Sequence, residues 1–128
     1  MSKKSIPSRI KFHNQSQRLE LAWDSESLFL SSELLRVLSP SAEVRGHGRG
    51  NEVLQEGKKE VRIKKLEPVG NYALKIHFDD GHDSGLYHWD YLQELALNQD
   101  SLWKTYLEKL QAAGKSREPQ QIQFKAID

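Results

Sequence analysis

Cysteine is missing altogether from this chain of 128 residues, and methionine occurs once. Without cysteine the chain forms no disulfide, offers no thiolate nucleophile and ligates no iron–sulfur cluster by itself. Any metal would have to be held by histidine and carboxylate. The absence fits a reducing compartment. Long apolar runs are lacking too: none approaches the roughly 18 to 20 residues that span a bilayer, and the opening MSKKSIPSRI has no apolar core of a secretory signal. A cytoplasmic protein without membrane contact is expected. Nor is there an excess of charge of one sign. Nineteen Lys and Arg face eighteen Asp and Glu, a formal net charge of +1, so net charge exerts no pull toward nucleic acid. Repeats and low-complexity tracts are absent as well.

What is there suits one globular domain, since a chain of this length buries one core and not two. The polar residues 1–8, with Pro7, read as a flexible lead-in. Residues 9–113 read as the domain. Apolar and polar side chains alternate over Arg9–His13 and Arg18–Trp23, turn residues separate the two runs, and Leu28–Leu30 follows as a third short strand. Ser31 or Ser32 can cap a short helix carrying Leu34, Leu35 and Leu38 on one face, and Pro40 stops it. A second strand group runs over Lys59–Leu66, with Val61 and Ile63 inward, then Tyr72–Phe78 and Gly85–Tyr87, with Asp79-Asp80-Gly81 as a hairpin signal. From Trp89 the period changes to that of helices. Leu92, Leu95 and Ala96 mark one, and Leu102, Trp103, Tyr106, Leu107 and Leu110 mark another that Asp100 caps and Gly114 stops. Residues 114–128 read as a disordered tail, in which Ile122 and Phe124 could dock weakly onto a partner. The expected fold is α+β: a small antiparallel β-sheet, a short helix after the third strand, and one or two C-terminal helices.

No constellation specifies a reaction. The loop Gly46-His47-Gly48-Arg49-Gly50 resembles a phosphate cradle, but it has neither the spacing of a P-loop nor that of a dinucleotide fingerprint, and it reads as a mobile glycine loop. His77-Phe-Asp79 and His88-Trp-Asp90 look like two-thirds of an iron-binding facial triad without its third ligand. No G-x-S-x-G elbow is present. Asp79, Asp80 and Asp83 crowd one turn, where carboxylates solvate a hairpin tip rather than face each other across a cleft. Charge layout says more. Residues 45–65 hold seven basic and three acidic side chains, a balance of +4, whereas residues 79–100 hold six acidic ones and no lysine or arginine. The two segments either neutralise each other within the fold or present a two-signed surface to a partner. Nucleic acid is not the expected partner, because the basic segment has no aromatic residue for bases to stack on.

Two stretches together, LRVLSPSAEVRGHG and FDDGHDSGLYHWDYL, resemble the N-terminal domain of gamma-butyrobetaine hydroxylase and its stand-alone bacterial relatives, the group also called domain of unknown function 971. The resemblance covers about Ile10 to Leu97. In the hydroxylases such a domain carries a structural zinc on three cysteines and a histidine, and the resemblance places those positions on Ser39, Ser41, Val44 and His82. Serine and valine cannot stand in for thiolates, so the resemblance implies a degenerate zinc site, with no metal and no cofactor expected. Ser39 and Ser41 would cap backbone groups instead, with His82 hydrogen-bonded nearby; a histidine site drawing on His47 and His82 is the alternative. The oxygenase domain that would hold iron and 2-oxoglutarate has no counterpart here, so no enzymatic activity is implied.

Relatives of the domain also occur fused to P-loop proteins of iron–sulfur cluster assembly. The implied role is therefore a non-catalytic accessory or protein-interaction module, linked to iron–sulfur or metallocofactor assembly, with an unidentified protein as partner. Arg45, His47, Arg49, His82, Tyr87 and Trp89 form the expected contact surface. For Tyr87 and Trp89 the competing reading is core packing, since large aromatics beside a strand bury. The alternative function is a small-ligand or metal-binding domain built on the glycine-rich loop and the His82 hairpin.

Overall fold

A computed structural model describes residues 6–46, 50, 52–119 and 126. Two three-stranded antiparallel sheets follow one another along the chain. The first contains β1 (Arg9–His13), β2 (Arg18–Trp23) and β3 (Glu26–Ser31), with β2 in the centre. The alternation in β2 turns Leu19 and Leu21 into the core and leaves Glu20 to pair with His13 across the sheet, at 2.7 Å. The second sheet contains β4 (Ile63–Val69), β5 (Ala73–Phe78) and β6 (Leu86–His88), with β5 in the centre. The fold is α+β, as the sequence predicts, with its antiparallel strands divided between two small sheets rather than gathered in one.

Gln17 joins the sheets. It sits in the β1–β2 turn at φ 55°, its side-chain oxygen accepts from the Ile63 amide at 2.7 Å, and its carbonyl accepts from the Ser32 amide at 3.0 Å. Only a few residue types tolerate that left-handed backbone, and the buried hydrogen bonds compensate for it.

Helix α1 (Ser32–Val37) starts as its sequence requires: the Ser31 hydroxyl accepts from the Leu34 amide at 3.1 Å. Every residue of α1 is buried, Glu33 and Arg36 included, so it is not the one-faced helix that its leucine pattern suggests. A single further turn, α2 (Ala42–Arg45), follows Pro40 and ends at Gly46 with φ 71°. It lies within the stretch read as loop. The strand expected over Lys59–Leu66 begins only at Ile63, because the Lys59 amide bonds to the Arg117 carbonyl and the Val61 amide closes a turn on Lys58. Val61 and Ile63 nevertheless both point inward.

Two helices close the chain, α3 (Trp89–Leu97) and α4 (Gln99–Ala112). Asn98 rather than Asp100 occupies the N-cap of α4, with Asp100 in the first turn. Gly114 stops the helix at φ 67°, and the Lys115 amide returns to the Leu110 carbonyl at 2.9 Å. The core gathers Leu19, Leu21, Leu30, Leu35, Ile76, Phe78, Tyr87, Leu92 and Leu95 between the sheets, α1 and α3. A smaller cluster of Val37, Tyr106 and Leu110, with Leu54 and Trp103 against it, fixes α4.

The boundary set by composition at Gly114 does not mark the end of packed structure. Ser116 and Arg117 accept from the amides of Gly57 and Lys59, and Arg117 makes two hydrogen bonds to Glu33, at 2.7 and 2.8 Å. Ile122 and Phe124 lie outside the described residues. Among the described residues no helix is long and apolar enough to cross a membrane.

Candidate functional site

The loop that leaves α1 and the hairpin between β5 and β6 meet through His82. Asp79, Asp80 and Gly81 turn the hairpin: Gly81 takes φ 89°, the Asp80 carboxylate accepts from the His82 amide at 3.2 Å, and the Phe78 amide donates to the His82 carbonyl at 3.0 Å. His82 is thereby pressed into the structure, 8% exposed. Its Nε2 lies 2.8 Å from the Ser39 hydroxyl and 3.4 Å from that of Ser41, and its Nδ1 lies 3.2 Å from Glu43. The carboxylate beside Nδ1 favours the proton there, so that Nδ1 donates to Glu43 and Nε2 accepts from Ser39. Burial first, and then the nearby Arg36 guanidinium, push the imidazole below its ordinary pKa, against the opposing pull of Glu43 and Asp80.

The four positions singled out by the zinc comparison thus divide three to one. Ser39, Ser41 and His82 form one hydrogen-bonded group, and Val44 is a buried apolar residue of α2 whose carbonyl accepts from the Val53 amide. This donor set does not fit zinc: two neutral hydroxyls and a valine replace thiolates, and Nε2 is already engaged. Among the described residues no three His, Cys, Asp or Glu side chains are grouped to hold a metal.

Ser39, His82 and Glu43 have the connectivity of a Ser-His-acid triad, a relation hidden in the sequence because the serine and histidine lie 43 residues apart. The nucleophile's position argues against that chemistry. Ser39 is 1% exposed and its Oγ also accepts from the Ser41 amide at 3.3 Å. Gly85 lies so near that a Cβ there would stand 2.4 Å from the same oxygen. Buried and engaged by both His82 and the Ser41 amide, the hydroxyl is not presented to a reacting carbon, which would have to come within about 3 Å of it.

The expected contact surface separates into different environments. Arg45 is exposed, with its guanidinium stacked on the Tyr91 ring at 4.8 Å from the centroid. Tyr87 is not a surface residue: it is fully buried, its hydroxyl donates to the Leu35 carbonyl, and burial drives its pKa strongly upward. Between the outward Leu86 and His88, a three-residue strand can only turn its middle side chain inward. Trp89 is half-buried against the core, and its indole N–H donates to the Asn71 carbonyl at 2.9 Å. His47 and Arg49 lie outside the described residues.

The His-x-Asp pairs do not work as pairs. His77 turns to Glu67 at 2.9 Å, and Asp79 accepts from the Arg62 amide at 3.0 Å. The oppositely charged segments meet where Lys58 reaches the Asp80 carboxylate at 2.9 Å, a carboxylate that Arg36 of α1 also reaches at 2.9 Å.

Tyr91 went unnoticed in the sequence, although it stands in the stretch YHWDYL. Its hydroxyl donates to the Leu38 carbonyl, its ring carries Arg45, and the two residues line two separate clefts. The larger, about 1230 Å³, runs between the α2 region and α4, with Leu38, Val53, Leu54, Leu102 and Tyr106 among its apolar walls and Glu52, Glu94 and Lys109 among its charges. The smaller, about 410 Å³, lies between α2 and β6.

Comparison with known proteins bears on this geometry. The sequence model described as gamma-butyrobetaine hydroxylase-like, N-terminal, matches residues 10–93. A solution NMR structure of a protein 53% identical covers 95% of this chain and 97% of its own, with a TM-score of 0.80. A second, 48% identical, covers 98% and 97%, with a TM-score of 0.78. A crystal structure of a protein of unknown function from Acidithiobacillus ferrooxidans ATCC 23270, of the domain of unknown function 971 family, is 32% identical over 75% of this chain and 98% of that one, with a TM-score of 0.62. No curated protein matches.

Proposed function

The chain belongs to the gamma-butyrobetaine hydroxylase-like N-terminal domain family, and from that premise we propose that it is a non-catalytic interaction module whose docking face is the groove beside Arg45. The observation that carries this reading is the contrast between the two halves of the site. The residues with chemical potential, Ser39, His82 and Glu43, are used up in a junction between loop and hairpin. Next to it the groove of about 1230 Å³ combines apolar walls with charges of both signs, and Val53 among its lining is 52% exposed. A fixed loop beside an amphipathic groove suits protein contact better than turnover.

The partner we favour is a protein of iron–sulfur or metallocofactor assembly, a choice supported only by the company that the family's domain keeps. Affinity purification from extract of the source cells, with mass spectrometry of what is retained, tests the reading. A folded variant carrying Arg45→Ala and Val53→Asp serves as control. One partner enriched by the wild type and lost with the variant supports the module. Equal retention by both proteins, or no specific retention, counts against it. The second reading, a small-ligand domain, draws on the separate cleft between α2 and β6.

A further inference from the structure

We propose that the cleft between α2 and β6 binds a small organic carboxylate, with Arg45 as its anchor. The inference does not rest on the docking role of the larger groove. At about 410 Å³ the cleft falls in the range of about 300 to 1,000 Å³ usual for small-molecule sites. Among the described residues, two cationic or protonatable side chains, Arg45 and His88, line it, and no carboxylate does.

Arg45 is the telling residue. Arginine ion pairs among the described residues are Arg36 with Asp80 and Arg117 with Glu33; Arg45 has no such partner, yet it is held in place by stacking on Tyr91. A guanidinium fixed on an aromatic face keeps its fork of N–H donors oriented, so a carboxylate meets it with little loss of side-chain freedom. The acid nearest in sequence does not fulfil that role. Glu43 is engaged by His82 Nδ1 at 3.2 Å and by the Ser84 hydroxyl at 2.9 Å.

The remaining lining chooses between anions. Pro40, Ala42, Leu86 and the Tyr91 ring give the cleft apolar walls, which suit the stem of an organic acid. Among the described lining residues a phosphate dianion would find one permanent cation, with Glu43 close by, a poor balance for two negative charges. A singly charged carboxylate on a short apolar stem matches both the charge and the walls.

The test is a titration of the ¹⁵N-labelled full chain, followed by amide chemical shifts, with sodium butyrate as probe, butyramide as its neutral counterpart and sodium chloride at matched ionic strength. A short acetylated apolar peptide with a free C terminus runs as a parallel arm, to separate a free acid from a chain end as the source of the carboxylate. Saturable shifts in residues 41–45 and 84–88 with butyrate or the peptide, and not with butyramide or chloride, are expected. Arg45→Gln should weaken binding about tenfold or more, the equivalent of about one charge-assisted contact. Arg45→Lys, which keeps the charge and loses the fork, should fall between. Leu86→Glu, which adds a carboxylate to the cleft wall, should abolish saturation while the rest of the spectrum stays dispersed. Absence of saturation with both carboxylates, an equal response to butyramide, or unchanged affinity in folded Arg45→Gln overturns the proposal. None of these results depends on whether a protein partner is retained from extract.

Discussion

Gly85 stands against Ser39 so closely that a β-carbon on the glycine would lie 2.4 Å from the serine Oγ and 3.1 Å from Pro40 Cδ. The contact packs the strand entering β6 onto the loop leaving α1, and Ser39 cannot retreat because His82 holds its hydroxyl at 2.8 Å. Gly85→Ala should therefore destabilise the fold by about 1 to 3 kcal/mol, the usual range for overpacking, read as a lower urea midpoint with unchanged slope. In the double variant with Ser39→Ala the loss should shrink, since the atom nearest the new methyl is gone. Equal losses in the single and double variants would show that the clash lies elsewhere.

His82 makes stability depend on pH. Burial lowers its pKa in the folded state from 6.5, so the unfolded chain binds the proton more readily. The stabilisation is fully present above pH 6.5 and is lost as pH falls through the depressed folded value. Urea unfolding of the wild type should show stability declining as pH drops below about 6.5, and His82→Gln, which keeps hydrogen-bonding capacity without titrating, should remove that part of the decline. Parallel curves for the two proteins would assign the dependence to other groups.

The parts of the fold that were legible in the sequence are those determined locally. The alternation of β1 and β2, the Ser31 cap and the glycine of the Asp79-Asp80-Gly81 turn each act within a few residues. Helix α2 escaped because its four residues, Ala42–Arg45, carry no measurable period. The late start of β4 escaped because its cause is Arg117, far along the chain. The candidate site divides in the same way. The family resemblance brought Ser39, Ser41 and His82 to attention, but the direction of Tyr87 depended on which face of β6 met α1, and the place of Arg45 depended on Tyr91. Neither is a spacing that can be counted.

Asp80 should govern the acid limb of stability. Burial alone would raise its pKa, but the Lys58 ammonium, the His82 amide and the Arg36 guanidinium outweigh it and hold the carboxyl at about 2, below its ordinary value of 3.8. Its contribution is present above pH 3.8 and is lost as pH falls toward 2. Asp80→Asn should lower stability at neutral pH by about 1 to 3 kcal/mol, since it leaves the buried Arg36 with Gln55 as its remaining side-chain partner. The variant should also lose less than the wild type between pH 4 and 2. An unchanged acid limb would remove Asp80 from the account.

The segment after Gly114 should matter to stability although its composition is that of a tail. Glu33 on α1 has a side chain only 8% exposed, and its carboxylate is matched by Arg117, which also lies over the Trp103 ring at 5.1 Å. A buried carboxylate deprived of its partner is costly, whereas removing both charges is far less so. Arg117→Met should therefore reduce the unfolding free energy by about 1 to 3 kcal/mol, and Glu33→Gln should restore part of the loss in the Arg117→Met background while being destabilising by itself. Ending the chain after Gly114 should cost at least as much as Arg117→Met, because the backbone bonds from Gly57 and Lys59 disappear with it. Urea titrations of the four proteins give the coupling between the two residues directly. A coupling near zero, or a truncated chain as stable as the whole, would reduce the 115–119 segment to a passive extension of α4.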